Sequence, residues 1–195
     1  MTSEVPISAL KEWAIVCKAL EEGRQVMLLR KGGILEYKDG FKLVNNRFLL
    51  FPTMEHQSSK ALQVDYAGKL ETLLRDSTDE KRNIAAYAEV SDIRQINDKY
   101  ILSKLEKYHI WNKSYLEMRM NYNPKKSMNM IILRVYKMNH TIPVYIRPEW
   151  SGCKSWISIE ISGKEAGMLE DHGRPVFDDE KFRQIRSRIL ETLNN

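Results

Sequence analysis

Met128 to Met138, MNMIILRVYKM, is the strongest strand signal in the chain. Ile131, Ile132, Leu133 and Val135 put apolar, mostly β-branched side chains at both odd and even positions, the pattern of a strand covered on both faces. It predicts a central strand. The flanking segments supply its neighbours. Gln25 to Leu29 (QVMLL) and Phe48 to Phe51 (FLLF, closed by Pro52) are short apolar runs of strand length. Ala85 to Ile93, Pro143 to Ile146 and Ser155 to Ile161 add further strands.

Between these runs the period changes. Leu10, Trp13, Ala14, Cys17 and Leu20 recur at helical spacing, which predicts a first helix capped by Ser8 and stopped at Gly23, with Cys17 as a buried apolar thiol. Ser59 to Arg75 reads as helical despite Gly68, which costs about 1 kcal/mol relative to Ala. Asn97 is placed to cap a third helix, and Asn121 to Lys126 (NYNPKK) reads as an exposed loop. Gly163 to Pro175 reads as turn-rich, and Asp178 as the cap of a last helix carrying Phe182, Ile185, Ile189 and Leu193. Strands and helices in this order never alternate strictly. The expectation is therefore an α+β fold: a mixed, largely antiparallel curled sheet or small barrel with three to four flanking helices. Residues 1–195 form one domain in this reading, with 176–195 a C-terminal helix appended to it.

Composition narrows the function classes. With 43% hydrophobic and 29% charged residues the chain is that of an ordinary globular protein, and no apolar run approaches the roughly 18 residues of a membrane span, so no membrane partner is expected. Two cysteines make no disulfide framework, and MTSEVPISALKEW carries no basic segment followed by an apolar one; a cytoplasmic location is the expectation. The net charge of +5 is unevenly spread: residues 101–150 hold nine basic and three acidic side chains, a local excess of +6. Tyr108, Trp111, Tyr115, Tyr122, Tyr136, Tyr145 and Trp150 lie in the same block. Cations that neutralise phosphate beside rings that stack on bases suit a nucleic-acid surface, DNA or RNA.

The candidate site residues follow. Arg30-Lys31-Gly32-Gly33 combines cations with glycines that let a backbone approach an anion, although the chain lacks the P-loop ending. Phe51 to Gln57 (FPTMEHQ) sets Thr53, Glu55, His56 and Gln57 just beyond a buried strand, where amide and imidazole could bond a base edge. Lys125, Lys126 and Lys154 would extend the electrostatic track, and Trp111, Tyr122 and Trp156 would stack on bases. A metal-dependent nuclease or nucleotide hydrolase is the enzymatic alternative, with Glu36, Lys38, Glu55 and His56 as its catalytic candidates. Glu36-Tyr37-Lys38 matches half of a PD-(D/E)xK pattern, but the first Asp in the chain, Asp39, follows the tripeptide. His109, His140 and His172 have no ligand partner at zinc-site spacing, so neither a metal nor another cofactor is expected. A third reading is a protein-interaction subunit, with a nuclease or other protein as partner.

Four blocks carry a family resemblance: ALKEWAIVCKALEEGRQVMLLRKGGILE (9–36), RFLLFPTMEHQ (47–57), NYNPKKSMNMIILRVYKM (121–138) and PEWSGCKSWI (148–157). They resemble a bacterial family known as domain of unknown function 1802, over nearly the whole chain. Members of that family are found beside restriction-endonuclease-like domains, which implies a link to DNA or foreign nucleic acid and a setting in restriction or defence. The order of elements is also similar to the ASCH and related PUA-like barrels, which bind RNA or read modified bases. Of the Gly-x-Lys-Thr-x-Glu-x-Arg signature of those barrels this chain keeps Gly23 and Arg30, with Leu28 at the acidic position.

Overall fold

A computed structural model describes residues 4–31, 47–75, 77, 80–152, 154–170 and 173–194. Its spine is one long antiparallel pair. Strand β4 (Lys81–Ile96) runs beside β5 (Met128–Tyr145) from Ile96 opposite Met128 to Lys81 opposite Tyr145. The expected strands over 128–138 and 143–146 are thus one strand. Register shifts between Ile84 and Ala86 and between Val90 and Asp92 bend the pair, because an extra residue on one strand increases the local twist.

The remaining strands are β1 (Glu4–Trp13), β2 (Met27–Arg30), β3 (Arg47–Thr53), β6 (Trp156–Ser162) and β7 (Arg174–Pro175). The sheet order is β2-β5-β4-β3-β1-β6, with β7 paired to β5. Only β1 and β3 pair in parallel among the described strands. The fold is therefore α+β, with a mixed, mostly antiparallel sheet that curls without closing into a barrel. Six α-helices are described: α1 (Ala14–Glu21), α2 (Val64–Arg75), α3 (Lys99–Lys104), α4 (Lys113–Asn121), α5 (Gly163–Glu170) and α6 (Asp179–Asn194).

Alternation along the inner strands divides the interior in two. Phe48 and Leu50 of β3, with Ala86 and Ala88 of β4, face a core shared with α1, α3, α4 and α6, whereas Leu49, Phe51 and Tyr87 face a second core with Ile157, Ile159 and Leu169. The continuous FLLF run is explained by this double burial. Phe182 and Ile189 bring α6 onto the first core. Arg186 then fastens α6 to β4 through both carboxylate oxygens of Asp92, at 2.6 and 2.7 Å.

Three expectations change. Ser8 does not cap a helix; it lies in β1 opposite Ser158, and α1 begins only at Ala14. The helical period at Leu10 and Trp13 competes with the alternation of Val5, Ile7 and Ala9, which pair with Ile161, Ile159 and Ile157, and pairing on both sides of β1 decides the contest. Asp98, not Asn97, caps α3, its Oδ1 accepting from the Tyr100 amide at 2.7 Å. The segment from Gly163 contains the helix α5, whose start is tied by the Ser162 hydroxyl donating to Glu165 Oε2 at 2.8 Å.

Elsewhere the local signals operate as expected. Gly23 ends α1 at φ +68°, and a Cβ there would lie 2.7 Å from the Phe177 ring, so only glycine fits. Burial of Cys17 pushes its thiol well above its ordinary range, with Glu12 and Glu21 adding to the effect.

His109 is buried at 3% exposure, and desolvation pushes its imidazole down to about 4, only partly opposed by backbone groups of Trp111 and of His109 itself. The folded state thus stays unprotonated where the unfolded chain takes up a proton, so the stability present above pH ~6.5 is lost as pH falls towards 4, at about 1.4 kcal/mol per pH unit. Urea denaturation at pH 7 and 4.5 should show this loss, about 2 to 3 kcal/mol, and His109→Leu should shrink the difference between the two pH values.

Candidate functional site

The curl brings the two ends of the strand order within one side chain of each other. Arg30, the last residue of β2, donates from Nη2 to Ser155 Oγ at 3.0 Å, one residue before β6 begins. Its Nη1 bonds the Lys11 carbonyl and Glu12 Oε2, each at 3.1 Å. A cleft of about 630 Å³ opens beside this seam. The parallel pairing of β1 and β3 sets Trp13 in register with Thr53 at its floor. Segments from β1, β2, the residues after β3 and α4, together with Gly152, Lys154 and Ser155, complete its walls.

One wall is aromatic. Trp13 meets Trp111 edge-on at 4.9 Å, Trp111 stacks on Tyr115 at 4.9 Å, and Trp13 and Tyr115 lie 5.9 Å apart. Trp111 is buried at 5% exposure; it backs the two half-buried rings that border the cleft. Burial pushes the Tyr115 phenol above its ordinary range, with Arg119 and Arg30 opposing and Glu12 adding.

The floor is ionic. Lys11, 6% exposed, donates to Glu55 Oε2 at 3.1 Å and to the carbonyls of Trp150 and Gly152 at 2.5 and 3.1 Å, so all three ammonium protons have acceptors. Glu12 accepts from Arg30 on one oxygen and from the Trp13 amide on the other, at 2.9 Å. Glu55 is 40% exposed and faces the cleft. His56 next to it adopts φ +58°, a conformation that costs a non-glycine residue of order 1 to 3 kcal/mol and is often met at binding sites. Lys60, Arg119 and Lys154 stand around the cleft.

The cleft gathers Arg30, Thr53, Glu55, His56, Trp111 and Lys154 from the sequence-based candidates. Others lie elsewhere. The Gln57 amide serves α1, Oε1 accepting from the Ile15 amide at 3.2 Å. Trp156 packs edge-on against Phe48 at 5.1 Å. Lys31 bonds the Met120 carbonyl, and desolvation together with Arg119 lowers its ammonium from the ordinary lysine range. Tyr122, Lys125 and Lys126 are exposed just beyond α4, with the Arg119 guanidinium 5.9 Å from the Tyr122 ring. Gly32, Gly33, Glu36 and Lys38 fall outside the described residues. Sequence reading did not single out Lys11, Glu12, Trp13 and Ser155 as site residues, and took in Tyr115 and Arg119 only as part of the basic, aromatic block 101–150. The triplet Lys11-Glu12-Trp13 directly after a buried run was the available signal, as was the i, i+4 spacing of Trp111 and Tyr115.

Among the described residues no group of three or more His, Cys, Asp or Glu could hold a metal ion, and no helix is long and apolar enough to cross a membrane. The chain belongs to the domain of unknown function family DUF1802, which matches residues 9–188. No curated protein matches it. Among solved structures it is similar to the crystal structure of ASCH from Zymomonas mobilis, with a TM-score of 0.43 and 12% identity over 86% of this chain and 96% of that one. Two mutants of the same protein give TM-scores of 0.45 and 0.44 at 10% and 12% identity, covering 85% and 84% of this chain and 96% of theirs.

Lys11→Met should destabilise the fold by about 2 to 3 kcal/mol, because the buried Trp150 carbonyl and the part-buried Gly152 carbonyl lose a charged donor. Glu55→Gln, at a half-exposed group, should cost under about 1 kcal/mol. Urea denaturation of the two variants beside the parent protein measures both.

Proposed function

We propose that the cleft beside the β2/β6 seam binds single-stranded nucleic acid. The observation that carries this reading is the convergence, on one cavity of about 630 Å³, of the half-buried rings of Trp13 and Tyr115 with the cations Lys60, Arg119 and Lys154, supplied by separate elements. Rings of this kind stack on bases irrespective of sequence, and the surrounding cations neutralise phosphates. Ring faces at the cleft favour a splayed-out strand over a duplex whose bases are already stacked.

Each residue then has a role set by its surroundings. Arg30 holds the seam with both terminal nitrogens, so Arg119, Lys60 and the remaining donors of Lys154, whose Nζ also bonds the Glu149 carbonyl at 2.7 Å, take the phosphates. Tyr122 beside Arg119, followed by the exposed Lys125 and Lys126, continues the track past the end of α4. Thr53 and His56 sit where a stacked base would present its edge. The excess of +6 over residues 101–150 supports the same reading, since α4 and its following loop lie in that block.

Fluorescence titration with single- and double-stranded oligonucleotides over a salt series tests it. Single strands should bind at least about tenfold more tightly than duplexes, and log K should fall with log salt by roughly 0.7 for each phosphate contacted. Tyr115→Ala should weaken binding by about 1 to 3 kcal/mol, and Arg119→Ala should reduce the salt slope by about 0.7. No binding, or binding indifferent to salt, refutes the reading.

A further inference from the structure

We infer that Glu55 makes the cleft selective for guanine. The inference rests on the single-strand reading above and adds the identity of the base. A carboxylate in a cleft built for a polyanion repels phosphate, so its presence there calls for a chemical partner. Glu12 already has one: the Trp13 amide and Arg30 occupy its two oxygens. Glu55 differs. Lys11 contacts only Oε2, and the carboxylate remains 40% exposed on the cleft wall.

The end of β3 leads the chain into the cleft beside Trp13. Thr53 is in register with Trp13 in the parallel β1/β3 pair, and Glu55 follows two residues later. Glu55 and the rings of Trp13 and Tyr115 line the same cleft, so the carboxylate is available to the edge of a base stacked on those rings. Lys11, buried and held by the Trp150 and Gly152 carbonyls, fixes Oε2 in place.

An ionised carboxylate accepts and never donates, and it offers two oxygens side by side. Guanine presents the matching pair on its Watson–Crick edge, N1–H next to the N2 amino group. Adenine and cytosine place a ring-nitrogen acceptor beside their amino group, and uracil or thymine flanks its single N–H with two carbonyls. Against each of these a carboxylate meets at least one repelling lone pair. Guanine alone makes two charge-assisted bonds, which are stronger than neutral ones.

The test uses heptamers UUUXUUU and their DNA counterparts, with X as guanine, adenine, cytosine, uracil or thymine, and inosine, titrated against the intact chain. A bidentate pair worth about 1 to 3 kcal/mol corresponds to preference for guanine by about 5- to 150-fold. Inosine, which keeps N1–H and lacks the amino group, should fall between guanine and the rest. Glu55→Gln should abolish the preference while still binding the heptamers, because its amide puts a donor against one of the guanine donors. Equal binding of all heptamers by the parent protein overturns the inference and leaves the single-strand reading standing, as does a guanine preference that survives in Glu55→Gln. Failure of every heptamer to bind overturns both. The inosine comparison uses the parent protein, so the outcome does not depend on the variant folding.

Discussion

The Arg30 guanidinium is the contact on which the rest of the architecture leans. β2 and β6 stand at opposite ends of the strand order, and no backbone ladder joins them among the described residues. Arg30 spans the gap with bonds to Ser155, Glu12 and the Lys11 carbonyl. Its planar fork can hold several acceptors at fixed angles, which the ammonium of a lysine cannot do. The sheet is latched by a side chain rather than sealed by hydrogen-bonded strands, and the cleft occupies the space that such sealing would have filled.

The cleft separates charges with structural work from charges left for a ligand. Lys11, Arg30 and Glu12 are largely buried and matched to protein partners. Lys154, Lys60 and the cleft-facing Glu55 lie nearer to solvent. The two groups differ in burial more than in residue type. A buried charge is tolerated only when its partners are built in, so burial sorts the side chains of one cavity into scaffold and surface.

How much of this the sequence contained depended on the distance between interacting residues. β3 and β5 were legible because a doubly buried strand must be apolar at both parities, and 48–51 and 128–138 are. The stop at Gly23 and the cap at Asp178, whose Oδ1 accepts from the Lys181 amide at 2.7 Å, are local chemistry and were legible too. β1 was hidden because Leu10 and Trp13 also fit a helical period, and only its pairing with β3 and β6 excludes the helix. In the site, His56, Thr53 and Arg30 announced themselves as polar residues beside buried strands. Gln57 did so as well, and its amide turned out to serve a helix 42 residues away in sequence. Trp13 and Tyr115 gave only local notice, since nothing short of the curl shows that residues about a hundred positions apart share a wall.

That Gln57 bond joins two regions that would otherwise behave separately. Trp13, at the N-cap position of α1, makes no side-chain capping bond, and the Ile15 amide relies on an acceptor carried by the loop that also bears Glu55 and His56. A helix start freed from its cap frays more readily. Lifting the loop off the cleft rim would therefore unprotect the first turn of α1, and amide exchange at Ile15 would report the motion of a segment far from it along the chain.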